Sequence, residues 1–179
     1  MSRPEKSEYD EYYERYVSLV EETDIISAME NQLAEYERIF AAITEEKSLY
    51  AYAEGKWTIK ELLGHLTDGE RIFAYRALRI SRADETPIEG FEQDGYIENS
   101  NFNQTKFEDL TEEFLLSRKA NLILFKNLPD EAWPRAGTAS GVPVSVRALA
   151  YIMVGHVRHH LNILKSRYLS ADAAASASQ

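Results

Sequence analysis

The chain has 179 residues, 44% of them apolar and 28% charged, the composition of one ordinary globular domain with room for a sizeable core. Thirty acidic residues against twenty basic ones give a formal charge of -10, which opposes the phosphate neutralisation that nucleic-acid binding requires. The absence of cysteine excludes disulfides, thiolate metal sites and a cysteine nucleophile, so any metal must be held by His, Asp or Glu.

The opening stretch MSRPEKSEYDEYYERYVSLV has no apolar run of signal-peptide length, and no segment reaches the ~18 consecutive apolar residues that span a bilayer. A cytoplasmic protein without membrane or nucleic-acid partners is expected. The tyrosine-rich segment from Tyr9 to Tyr16 is expected to add a short helix outside the main ones, or to cover a partner surface. A first long helix is expected from about Asp24 to Ile43, because Ile25, Met29, Leu33, Tyr36, Phe40 and Ile43 recur every three or four residues, with Thr23 or Asp24 as its cap.

The second long helix carries the clearest start signal. Thr58 and Glu61 form a capping box, and Trp57 just before the cap is placed to staple onto Leu62. Its apolar pattern continues to about Ile80. The next stretch, SRADETPIEGFEQDGYIENSNFNQTKF, is rich in loop formers, yet Phe91, Tyr96, Phe102 and Phe107 argue for a loop that folds over something. A third helix is expected from about Asp109 to Leu128, ended by Pro129. The connection PDEAWPRAGTASGVPV reads as loop, and its GTASGVP lacks the lysine and spacing of a phosphate cradle, so an irregular turn is expected there. Ser145 caps a fourth helix, with Val144 and Leu149 placed for a second staple. No run of alternating strand residues emerges, so the expected class is all-α, a four-helix bundle in a single domain over 1–169 (core 24–169), with a small, polar, flexible tail at 170–179.

Three of the four histidines fall in GHVRHHLNIL, inside the fourth helix. Projected at about 100° per residue, His156 and His160 lie near the centre of the arc defined by Leu149, Ile152, Met153, Ile163 and Leu164. His159 projects to the margin of that arc and is expected to be a flank residue. The fourth histidine, His65, lies at the edge of the Leu62 and Leu66 face of the second helix. Residues at i and i+4 have Cβ atoms about 5–6 Å apart, so His156 and His160 can converge on one ion, and a facing helix of a bundle can supply His65 as the third ligand. A single buried histidine is most simply a neutral one satisfied by a hydrogen bond. Three inward ones favour a shared cation, because each unpaired polar nitrogen costs roughly 1–3 kcal/mol in a core. Three protein nitrogens leave a coordination position open, the mark of a catalytic rather than a closed site, and imidazole ligands suit zinc, nickel, iron or copper alike.

No HExxH is present, so the helix carries no general base of its own. Glu70 projects onto the apolar face of the second helix. It is a candidate general base or support for the site, although pairing with Arg76 or a loop amide is the preferred account. Asp68 projects to the polar side. Asp94 and Tyr96 reach a pocket only if the long loop covers the site. The aromatic stripe of the first helix and Trp133 read as packing.

Taken together, KWTIKELLGHLTDGERIFAYRALR and VSVRALAYIMVGHVRHHLNIL, with the intervening TPIEGFEQDGY, make the chain resemble the DinB-like (DinB/YfiT-like) family of metal-dependent enzymes, from about Ile25 to Leu169. The resemblance implies an up-down-down-up bundle, often dimeric, in which His65, His156 and His160 bind a divalent metal such as nickel or zinc; iron and manganese are further candidates. It also implies a small-molecule substrate, since some relatives are hydrolases and others transfer groups to low-molecular-weight thiols. Two readings follow: an enzyme that activates water or a thiol at a three-histidine metal site, or a non-catalytic dimeric helical binding module whose histidines are structural.

Overall fold

A computed structural model describes residues 2–170; apart from Ser170, the segment expected to be a tail lies outside the described residues. Four long helices dominate, with short elements wrapped around them. The N-terminal segment forms 3₁₀ turns at Lys6–Glu8 and Glu11–Tyr13, then a single helical turn, α1 (Glu14–Val17). Helix α2 (Ile25–Ala41) begins where the Asp24 carboxylate accepts from the amides of Ile26 and Ser27, and buries Ile25, Ala28, Met29, Gln32, Tyr36 and Phe40. It stops short of Ile43 because Thr44 caps a new turn, α3 (Glu45–Ser48).

Helix α4 (Ile59–Ser81) starts at the expected capping box: the Thr58 hydroxyl accepts from the Glu61 amide at 3.1 Å, and the Glu61 carboxylate accepts from the Thr58 amide at 2.8 Å. The long loop beyond it does fold over something. It contains α5 (Gln93–Glu98) and a 3₁₀ turn at Phe102–Gln104, and both pack on α4. Helix α6 (Phe107–Lys126) begins two residues earlier than its own sequence suggests. Its cap comes from elsewhere: Glu45 of α3 accepts from the Phe107 amide at 2.8 Å and pairs with the buried Lys60. Asn127 and Leu128 fall outside the helix, because the residue before Pro129 is pushed out of helical geometry.

The expectation of an all-α chain with an irregular turn at GTASGVP is corrected. Strands β1 (Ala136–Ala139) and β2 (Val142–Ser145) form an antiparallel hairpin in the register Ala136↔Ser145 and Ala139↔Val142. Ser140 and Gly141, with φ of +53° and +79°, supply the two left-handed residues of a tight hairpin turn. Ile88 of the long loop bridges to this hairpin: its amide donates to Thr138 O and its carbonyl accepts from Ser140 N.

Helix α7 (Val146–Ile163) leaves the hairpin directly, capped by the Ser145 hydroxyl on the Ala148 amide at 2.9 Å, and continues into a π-helical turn at Leu164–Leu169. From Ala148 to Val157 it is buried without interruption, which requires partners on every side. Helices α2 and α4 pack on it, and α1 crosses it at Gly155. A Cβ there would lie 2.1 Å from the Tyr16 carbonyl oxygen. Two apolar clusters result. One joins the N-terminal segment, the hairpin and the first half of α7; the other joins α2, α4, α6 and the second half of α7.

Gly155→Ala is therefore expected to destabilise the fold by about 1–3 kcal/mol, the scale of overpacking, although alanine is the better helix former by about 1 kcal/mol. Denaturant melts check this, and an unchanged or raised midpoint contradicts the close crossing.

Candidate metal centre

The histidines sit where the two apolar clusters meet. Helix α4 passes from one to the other between Leu66 and Phe73, and α7 does so between Val154 and Val157. His65 and His156 are buried there, and His160 is half-buried. The Nε2 atoms of His65 and His156 lie 3.0 Å apart, and the His160 ring centroid lies 4.8 Å from that of His65 and 4.7 Å from that of His156. One nitrogen from each ring falls within 4.8 Å of the others. The three residues that helical projection singled out are thus brought together.

Glycine permits the approach, since a Cβ on Gly69 would lie 3.2 Å from Cε1 of His156. Aromatic rings surround the rest: Trp57 stands 5.0 Å from His65, and Tyr16 and Phe73 stand 5.2 and 5.6 Å from His156. His159 lies at the flank, its ring edge-on to Tyr16 and half-buried, as expected.

Two nitrogens that share an ion at bond lengths of about 2.0–2.1 Å are about 2.8–3.0 Å apart at the right angle of octahedral coordination and about 3.3–3.4 Å apart at the tetrahedral angle, so the 3.0 Å spacing is close to what a common cation requires. An imidazole N–H donated to its neighbour would show the same distance. His160 favours the cation, because its Nδ1 is buried with no hydrogen-bond partner and pairwise bonding leaves that ring unsatisfied. Burial lowers the pKa of His65 to about 4, with the Asp94 charge pulling weakly the other way. Burial, then repulsion from His65 and His159, lowers that of His160 to about 2. Burial and the neighbouring His160 and His65 hold His156 well below its usual range. All three are neutral at physiological pH, the form that binds metal.

Glu70 is placed differently from expectation. Its carboxylate does not meet Arg76 or a loop amide; it makes a fully buried ion pair with Arg118 of α6 at 2.7 Å and accepts from Asn121 Nδ2 at 2.9 Å. Burial pushes the carboxyl up, and Arg118 and Asn121 pull it back. Removing one partner of such a pair costs about 3–5 kcal/mol, so this contact joins α4 to α6 first of all. Asp68, half-buried, lies 3.9 Å from Arg71.

Two cavities open onto the histidines. The larger, about 710 Å³, reaches His160 and is lined by Tyr52, Trp57, Glu61, Asp94, Phe102 and Tyr168. The smaller, about 390 Å³, reaches His65 and His156 and is walled by Tyr12, Tyr13, Tyr16, Phe73, Phe91 and Arg76. Asp94 thus reaches a histidine cavity and Tyr96 reaches neither. Sequence reasoning missed Tyr16 and Arg76. Arg76 was readable in principle, since His65, Gly69, Phe73 and Arg76 follow one helical stripe.

Set against known families, residues 28–164 match the DinB superfamily. The chain belongs to that superfamily. Its fold is similar to that of YfiT from Bacillus subtilis, described as a probable metal-dependent hydrolase with an unusual four-helix bundle topology, at a TM-score of 0.69 and 17% identity over 88% of this chain and 86% of that one. A second likeness is to a mycothiol-dependent maleylpyruvate isomerase, at a TM-score of 0.66 and 15% identity, covering 81% of this chain and 61% of that protein. At these identities the likeness speaks for the fold. No curated protein sequence matches the chain.

The depressed imidazoles set a pH dependence. A group whose folded pKa lies below its unfolded value, about 6.5 for histidine, contributes stability that is complete above that value and is lost as pH falls through the folded one. In chelator-treated protein, the denaturation midpoint is expected to drop between about pH 6.5 and about pH 4.5, before most carboxylates titrate. A flat profile over that window contradicts buried neutral histidines.

Proposed function

We propose that this protein is a metal-dependent enzyme in which His65, His156 and His160 hold one divalent ion, nickel or zinc first of all, and that its reaction joins two small molecules, one of them a low-molecular-weight thiol. Convergence of three buried neutral imidazoles carries the metal reading. Such an ion, when bound, lowers the pKa of a water or thiol toward neutrality and so supplies a nucleophile. The neighbours named for YfiT and the mycothiol-dependent isomerase, one a probable metal-dependent hydrolase and the other thiol-dependent, are consistent with either nucleophile.

The two cavities favour the thiol. Hydrolysis needs one organic pocket and access for water, whereas transfer between two organic molecules needs both held at one centre. The larger cavity is polar, with Lys56, Glu61, Asp94, Glu98, Asn103 and Gln104 on its wall, which suits a small, highly functionalised thiol. Aromatic walls in the smaller one suit an apolar electrophile. Trp57, Tyr16 and Phe73 stand against the imidazoles, and their apolar rings lower the local dielectric and strengthen electrostatic contacts there. Glu70, tied to Arg118, holds α4 in place.

Tag-free protein reconstituted with nickel or zinc, given a low-molecular-weight thiol and an electrophile, is expected to consume both in equal amounts. Chelator should stop the reaction, added metal should restore it, and His156→Ala should lower it by about a hundredfold or more. Consumption that ignores chelator contradicts the proposal; electrophile lost without thiol redirects it to hydrolysis.

A further inference from the structure

Among the described residues, three cationic side chains are buried: Lys60, Arg76 and Arg118. Lys60 pairs with Glu45, and Arg118 pairs with Glu70 at 2.7 Å. Arg76, 2% exposed, has no carboxylate in ion-pair range among the described residues. Its neighbours along α4 differ: Arg71 meets Glu113 at 2.5 Å and Arg79 meets Asp84 at 2.6 Å. One Nη of Arg76 donates to the Ser140 hydroxyl at 2.7 Å and to the Glu89 carbonyl at 3.3 Å; its Nε is buried without a partner. A buried guanidinium held only by neutral acceptors lacks the counter-charge that normally offsets its desolvation.

Arg76 also lines the smaller cavity, as do His65 and His156. Arg76 lies seven positions along α4 from Gly69, which is beside His156, on the order of 10 Å along the helix axis. Tyr12, Tyr13, Tyr16, Phe73 and Phe91 line the same cavity. Two carboxylates reach this cavity, Asp10 and Glu92, and each uses an oxygen to cap a backbone amide, of Tyr12 and of Asp94.

From this we infer that the smaller cavity binds a small monocarboxylate with an aromatic or planar apolar body, its carboxylate on the guanidinium of Arg76 and its other end at the three histidines. The planar guanidinium matches a carboxylate by paired N–H donation, which a lysine ammonium does not reproduce. Flat rings suit the aromatic walls, and about 390 Å³ lies at the small end of ligand pockets. This substrate class rests on the reading of the metal centre for the second end of the molecule and on Arg76 alone for the first.

The test measures binding, by calorimetry, of benzoate, phenylacetate and 3-phenylpropionate, each beside its uncharged carboxamide, to metal-loaded wild type, Arg76→Gln and Arg76→Lys, and to chelator-treated wild type. Metal content is measured on the same samples. At least one acid is expected to bind wild type about tenfold or more tighter than its amide. That preference should vanish in Arg76→Gln, shrink in Arg76→Lys, and survive in chelator-treated wild type, because it rests on the guanidinium and not on the ion. No acid preference in wild type overturns the inference whatever the variants do, as does a preference that Arg76→Gln retains or that chelator-treated wild type loses, the last because the carboxylate would then sit on the ion. Wild type that takes up no metal on reconstitution yet prefers the acid contradicts the metal reading and leaves this one standing; metal-loaded wild type without preference does the reverse.

Discussion

The close crossing of α4 and α7 is the constraint on which the rest of the structure depends. Three imidazoles must enter the core at one point, and a core admits them only if their nitrogens are satisfied and their charge is absent. Small residues make the crossing possible. Gly69 leaves room for the His156 ring, Gly64 leaves room for the Phe102 ring, which would lie 2.3 Å from a Cβ, and Gly155 lets the N-terminal segment cross. Apolar clusters on either side fix the two helices, so the histidines meet in a rigid frame rather than on a loop.

Charge follows a consistent pattern around that frame. A strongly acidic chain buries neutral imidazoles, three cations and, among its carboxylates, Glu70. Glu70 neutralises Arg118 and Glu45 neutralises Lys60; both contacts join α6 to its neighbours. Arg76 departs from the pattern, and it does so in a cavity that His65 and His156 also line. A site of this kind attracts anions locally although the chain as a whole repels them, because a nearby buried charge is screened far less than distant surface ones.

Much of this was readable in the residues themselves. Caps at Asp24, Thr58 and Ser145 are local, since each side chain bonds an amide two or three residues on, and all three appear where expected. The inward direction of His65, His156 and His160 follows from helical periodicity, which also gave His159 its flanking place. What escaped depends on distant partners. The cap of α6 is Glu45, far back in the chain; Glu70 finds Arg118 rather than a group on its own helix. Periodicity says which face a residue occupies, not which neighbour it meets. The hairpin escaped because its strands are four residues long and one contains Pro143, though Ser140–Gly141 was the dipeptide to notice.

The most direct test of the central claim is the metal stoichiometry of tag-free protein, measured by elemental mass spectrometry beside His65→Ala and His160→Ala variants confirmed as folded. One helix supplies His65 and the other His160, so the two variants probe the meeting of α4 and α7 independently. The account predicts about one divalent ion per chain in the wild type and loss of it in both variants. Wild type that takes up no ion after reconstitution with nickel, zinc, iron and manganese, or variants that keep it, would contradict a shared metal centre and leave the histidines as buried structural groups.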